Sequence, residues 1–147
     1  MRSPYSEKQL NAGLEALRAG ETVVALRHFE KAARVENDPE CSSYLAYCIA
    51  RERGQVKKGI ELCRDSIDRD TENPAHYLNL GRIEFMAGNK DGAIEAYRQG
   101  MRQKPSPEIV VELENLGIRR PPVFSFLKRQ NPLNRYLGWI FARIGLR

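Results

Sequence analysis

Three glycines, Gly20, Gly54 and Gly88, recur at intervals of 34 residues, and the chain around them superimposes on itself at that shift. The shift sets Ala25 on Gly59 and Ala93, Leu26 on Ile60 and Ile94, Phe29 on Cys63 and Tyr97, and Ala32 on Ser66 and Gly100. Small residues fall on small ones, and large apolar residues mostly on large ones. A period of this order marks a row of supersecondary units, none of which can bury its apolar face alone. Such a chain must stack like units on one another, and three copies are about the minimum for a stable row.

Local signals predict which element fills each half-unit. Ser6 with Gln9 reads as a capping box, and Asp38 before Pro39 and Asn73 before Pro74 each read as an N-cap followed by proline in the first helical position. Helices are therefore expected at roughly 6–19, 22–36, 39–53, 56–70, 74–87 and 90–104. A seventh follows: Ser106 caps, Pro107 opens and Gly117 closes a segment with Ile109, Val110, Leu113 and Leu116 on one side. Glu108, Glu112 and Glu114 lie on the other, and this spacing predicts a helix that covers the open end of the row.

Where antiparallel helices cross closely, only small side chains let the backbones approach. Gly13, Ala25 and Ala32 are expected at the first crossing and Gly81, Ala93 and Gly100 at the third, with Phe29 and Tyr97 filling the space beside them. Tyr47 breaks this rule in the second copy. Gly59, where the other copies have alanine, reads as the compensation for it.

The third copy reads YLNLG (Tyr77 to Gly81), AGN (Ala87 to Asn89) and AIEAYRQG (Ala93 to Gly100), and closes on Pro105. This pattern resembles the tetratricopeptide repeat, with copies at 6–39, 40–73 and 74–107. The first copy keeps Gly13, Gly20, Ala25, Phe29 and Ala32; the second is the most divergent, with Tyr47, Gly59, Cys63 and Ser66 at those positions. The resemblance implies an all-α solenoid of helical hairpins with a capping helix. It also implies a concave groove, lined by the first helix of each hairpin, that binds segments of partner proteins.

Carried over residue by residue, the groove positions are Leu10, Leu14 and Arg18, then Tyr44, Cys48 and Arg51, then Leu78, Arg82 and Phe85. Glu7, Leu17, Cys41, Glu52, Ala75 and Met86 lie beside them. An apolar floor with three arginines suits an amphipathic or acidic-apolar peptide. The alternative is that these positions are filled by the protein's own tail or by packing between neighbouring helices. The carboxylate clamp of chaperone-binding members needs Lys and Asn where this chain has Leu10, Leu14 and Leu45, so a chaperone C-terminus is not the expected ligand.

The formal charge of +5 is local. Residues 118–147 hold seven basic side chains, no acidic one and five aromatics, leaving 17 basic against 19 acidic residues before them. This extension divides into an arm over 118–130, extended by Pro121-Pro122, and a helix over 132–144 opened by Asn131-Pro132. On that helix Leu133, Leu137, Ile140 and Ile144 share a face, with Trp139 off the stripe. Folding back on the array, docking on anionic lipid as an interfacial helix, and self-association all remain open for it. Nucleic acid is not the expected partner, because the body of the chain is acidic and the aromatics are set among apolar residues.

Cys41, Cys48 and Cys63 form an odd set without CxxC spacing, and no apolar leader begins the sequence, so a reducing cytoplasm is the expected compartment, with the tail able to hold the chain at a membrane surface. The longest apolar run, Tyr136 to Ala142, is seven residues, against the ~20 that a spanning helix needs. His28 and His76 stand at unrelated repeat positions and read as structural, exposed or half-buried. Cys48 is placed to approach Cys63 across its hairpin, and the three thiols read as buried or groove-lining, not as metal ligands. No spacing sets a nucleophile beside a base, and AGE, RGQ and AGN are turns, not phosphate cradles. The expectation is a non-enzymatic adaptor without metal or cofactor; the alternative is a peripheral membrane adaptor held by its tail.

Overall fold

The computed structural model describes residues 1–118, which form seven α-helices. They are α1 (Pro4–Arg18), α2 (Thr22–Val35), α3 (Pro39–Arg53), α4 (Val56–Arg69), α5 (Pro74–Met86), α6 (Lys90–Gln103) and α7 (Pro107–Asn115). Their starts are chemical. The side chains of Asp38, Asn73 and Ser106 accept from the backbone N–H of Cys41, Ala75 and Ile109, each followed by proline in the first turn. The turn glycines have φ of +78° at Gly20, +67° at Gly54 and +81° at Gly88, a left-handed geometry that favours a residue without Cβ. Beyond the first and third of them Glu21 N donates to Ala16 O and Asn89 N to Glu84 O, both at 2.9 Å, tying the ends of α1 and α5.

One start differs from expectation. Ser6 does not cap α1: the helix begins at Pro4, and Ser3 is the cap, its Oγ accepting from Ser6 N at 3.2 Å. The Ser-Pro pair at 3–4 carries the same signature as Asp38-Pro39, and it prevails over the Ser6–Gln9 box.

Successive helices pair as hairpins, α1 with α2, α3 with α4 and α5 with α6. Each new hairpin then packs its first helix on the second helix of the one before, α3 on α2 and α5 on α4, while α5 also lies against α3 and α7 closes on α6. The buried residues fall into three clusters that follow this row. The first centres on Phe29 with Leu10, Cys41 and Cys48, the second on Ile83 with Ala46 and Cys63, and the third on Tyr97 and Ile109 with Leu78. Cys48 and Cys63 thus belong to different clusters. Complete burial of Phe29 and near-complete burial of Tyr97 each contributes about 1.5–3 kcal/mol.

Crossing geometry explains the small residues. A Cβ on Gly13 would lie 2.4 Å from Phe29 Cε1, and one on Gly81 would lie 2.2 Å from Tyr97 Cε1. The ring of the second helix occupies the notch that glycine leaves in the first. Gly59 does a different job from the one its sequence position suggested. A Cβ there would meet Ala46 O at 2.9 Å, Ile83 Cδ1 at 3.1 Å and Ala50 Cβ at 3.2 Å, so Gly59 faces the α3 backbone and α5 and does not make room for Tyr47. Tyr47 packs with the second cluster, where Cys63 stands in place of the ring.

The C-terminal end is closed by α7. Ile109 is fully buried, and Gly100 leaves the space its Cδ1 enters. Ile118, counted with the tail in the sequence, packs on this third cluster and donates its N–H to Leu113 O at 2.9 Å. The arm and the 132–144 helix lie outside the described residues, apart from Ile118.

Candidate functional site

The first helices of the hairpins and α7 contribute side chains to one shared depression of about 250 Å³. Leu14, Leu17 and Arg18 come from α1, Tyr44, Tyr47 and Arg51 from α3, Leu78 and Arg82 from α5, and Glu108 and Glu112 from α7, with Gly20 and Thr22 at the rim. Apart from the adjacent Leu17 and Arg18, the lining residues within each helix are spaced three, four or seven apart, which places them on one stripe. The groove is the line along which four such stripes meet.

Its floor is anchored from below. The Tyr44 ring stacks on the buried Phe29 ring with centroids 5.6 Å apart, and burial, with Glu40 adding to it, pushes the Tyr44 phenol up to about 12. It is a neutral ring at any physiological pH. Tyr47 stands between two cations: Arg51 Nη1 donates to its hydroxyl at 2.9 Å, and the Arg82 guanidinium lies 5.2 Å from its ring centroid. That hydrogen bond is the main reason the Arg51 pKa is raised. On the far side Arg82 Nε donates to Glu112 Oε1 at 2.7 Å, tying α5 to α7.

Six of the nine groove residues expected from sequence line this depression: Leu14, Arg18, Tyr44, Arg51, Leu78 and Arg82. Leu10 and Cys48 do not. They are 3 % and 0 % exposed and belong to the first core cluster, turned under the groove toward α2. Phe85 is 52 % exposed at the end of α5 and is not among the lining residues. Leu133, Leu137, Trp139, Ile140 and Ile144 lie outside the described residues. Gly20, Thr22, Tyr47, Glu108 and Glu112 line the depression without being among the expected groove residues. Tyr47 was readable, since it is three residues after Tyr44 and four before Arg51, but the repeat alignment had assigned it to the helix crossing.

Other reactive groups are buried. Burial raises the Cys41 and Cys48 thiols to about 12 and drives Cys63 higher still, so all three are held as thiols. Cys41 Sγ donates to Phe29 O at 3.4 Å and Cys63 Sγ to Ser43 O at 3.8 Å. His28 is half-buried, with Nδ1 2.8 Å from Gln9 Oε1. His76 departs from expectation, being fully buried at the junction of α3 and α5.

There His76 Nδ1 is 3.0 Å from Ser43 Oγ and Nε2 is 3.4 Å from Asp70 Oδ2, an order reminiscent of a hydrolase triad. The geometry excludes that role. Ser43 is fully buried, its hydroxyl donates to Glu40 O at 3.0 Å, and Asn79 Nδ2 donates to the Ser43 Oγ at 3.2 Å. The serine is thus a bridge between helices. Among the described residues no group of three or more His, Cys, Asp and Glu side chains is placed to hold a metal ion.

A second depression, of about 470 Å³, opens between α4, α5 and α6. Its one buried carboxylate, Glu84, already accepts from Asn89 Nδ2 at 2.8 Å and sits 3.8 Å from Arg64. With that anion satisfied from within, the groove on the first helices is the stronger candidate.

Residues 44–106 match the tetratricopeptide repeat family. Two TPR repeat-containing proteins of Methanocaldococcus jannaschii are similar to the chain, one 29 % identical over 97 residues and the other 26 % identical over 101. These alignments take in 66 % and 67 % of this chain but only 17 % and 31 % of those relatives' lengths. The crystal structure of the Sgt2 TPR domain from Aspergillus fumigatus superimposes with a TM-score of 0.60 over 91 % of this chain and 95 % of that one, at 21 % identity. Residues 44–106 thus carry tetratricopeptide repeats, and the described residues share the stacked helical-hairpin fold of that repeat, which generally serves protein–protein interaction.

Proposed function

We propose that the chain is an adaptor whose concave groove takes a segment of a partner protein. The observation that carries this reading is the convergence of Leu14, Leu17, Tyr44 and Leu78 into one apolar floor beneath Arg18, Arg51 and Arg82. Rigid aromatic and arginine side chains over a packed base are the residues that dominate binding energy at interfaces. Affinity capture from cell extract with the intact chain and with Tyr44→Ala tests it. Proteins held by the groove are lost from the variant, and the reading fails if every captured protein binds both equally.

A second reading concerns residues 119–147, whose seven cations without an acid, set among aromatics, suit an anionic membrane surface. Vesicles containing phosphatidylserine should then bind the full chain and not residues 1–118. Equal binding by the two would remove the tail from that role. The free, buried thiols of Cys41, Cys48 and Cys63 support a reducing compartment such as the cytoplasm.

A further inference from the structure

Charge is distributed unevenly along the groove. Arg18 on α1 and Arg51 on α3 stand toward one end of the row, and Glu108 and Glu112 on α7 stand at the other. Arg82, between them, is already paired with Glu112 at 2.7 Å. Among the described residues the one carboxylate near Arg51 is that of its chain neighbour Glu52, at the marginal distance of 3.9 Å, and no carboxylate pairs with Arg18. Capacity for a carboxylate therefore remains at the α1–α3 end.

We propose that the occupant of the groove is an acidic-apolar segment of a partner protein, bound in one direction, with its carboxylates at Arg18 and Arg51 and its uncharged or basic part at Glu108. This rests on the reading of the groove as the partner site. Three observations support the chemistry. Glu112 is an internal precedent: a carboxylate seated on a groove arginine through a charge-assisted hydrogen bond, which withholds Arg82 from the partner.

Tyr47 is the second, since its hydroxyl fixes Arg51 at 2.9 Å, and a guanidinium already held in place loses less freedom on binding an anion. The third is the tail: residues 119–147, with seven basic and no acidic side chains, carry the wrong sign for the Arg18–Arg51 end, which leaves that end to another chain.

A phage-displayed library of random short peptides, selected on the full chain, tests the proposal. The intact protein should enrich peptides carrying Asp or Glu beside Leu, Ile, Phe or Trp. Fluorescein-labelled copies of the enriched peptides should bind the Arg18→Ser, Arg51→Ser double variant about tenfold more weakly, with circular dichroism confirming that its helices are intact. They should bind Glu112→Gln more tightly, by a few fold, because Arg82 is released. Enrichment of basic or uncharged peptides, an empty selection, or acidic peptides indifferent to the arginine variant would overturn it. Tyr44→Ala separates the two levels. Uncharged binders that are lost from Tyr44→Ala leave the groove reading standing and the charge inference refuted, whereas binders indifferent to Tyr44→Ala refute both.

Discussion

In the first and third hairpins the ring at the helix crossing comes from the second helix, Phe29 against Gly13 and Tyr97 against Gly81. In the second hairpin the ring is Tyr47, from the first helix, and the opposing position is the small, fully buried Cys63. Volume at the crossing is kept while its source is exchanged. The exchange matters for function, because a ring rooted in α3 ends in the groove, where its hydroxyl meets Arg51 and its face meets Arg82. A double-mutant cycle tests the pairing. Tyr47→Gly opens a void and adds about 1 kcal/mol of helix cost, and Cys63→Phe alone overpacks by about 1–3 kcal/mol. Combined, the two should be less damaging than their sum by about 1–3 kcal/mol in urea denaturation, and simple additivity would show that the positions do not share space. Gly59 gives a contrasting prediction. Gly59→Ala gains helix propensity but drives a Cβ to 2.9 Å from a backbone carbonyl that cannot rotate away, so a net loss of about 1–3 kcal/mol is expected in the same assay.

The elements differ in how well they are capped. Ser3, Asp38, Asn73, Asn89 and Ser106 each accept a backbone N–H at a helix start, while Glu21 and Gln55, before α2 and α4, make no such bond. Asn89 shows that the geometry permits one, since it caps α6 with φ −93° and ψ 76°, close to the −83° and 63° of Gln55. Gln55→Asn should therefore cap α4 and raise stability by about 0.5–1 kcal/mol, read as a shift in the denaturation midpoint without a change in slope. At this scale the sequence was most informative. The turn glycines and the Asp38-Pro39, Asn73-Pro74 and Ser106-Pro107 pairs mark boundaries by local chemistry alone, so they need no knowledge of the fold. The stripe carrying Leu14, Arg18, Tyr44, Arg51, Leu78 and Arg82 was legible for the same reason, being a periodicity within single helices. Leu10 and Cys48 were misplaced because the depth of a residue on such a stripe depends on how the next helix crosses, which no single helix encodes. Tyr47 was hidden by the repeat itself, whose register assigns that position to a crossing glycine.

Across the whole molecule the stacking of hairpins would allow each junction to be wholly apolar, yet the one between α3 and α5 is polar at its centre. His76, Ser43 and Asn79 are all fully buried there, and His76 Nε2 and Asn79 Oδ1 find no hydrogen-bond partner among the described residues. Ser43 has a single proton. When it goes to Glu40 O, His76 Nδ1 must carry the proton it shares with Ser43, and the Nε2 lone pair then faces the Asp70 carboxylate. Burial lowers the His76 pKa, and the carboxylates of Asp70, Glu40 and Asp38 offset this only in part. The direction sets the sign of the linkage. Above the unfolded value of about 6.5 the imidazole is neutral in both states and the junction contributes its full stability. As pH falls below that value the unfolded chain takes up the proton first, so stability is lost, at no more than about 1.4 kcal/mol per pH unit. Unfolding free energies measured by urea between about pH 7 and 5.5, above the carboxylate range, should decline for the intact chain. His76→Asn, which keeps a donor near the position of Nδ1, should be less stable at neutral pH by about 1–3 kcal/mol and should lose that decline. An equal slope in the two proteins would place the pH sensitivity elsewhere. A steeper slope in the variant would mean that His76 gains Asp70 as a partner on protonation and holds the second and third hairpins together more firmly in acid.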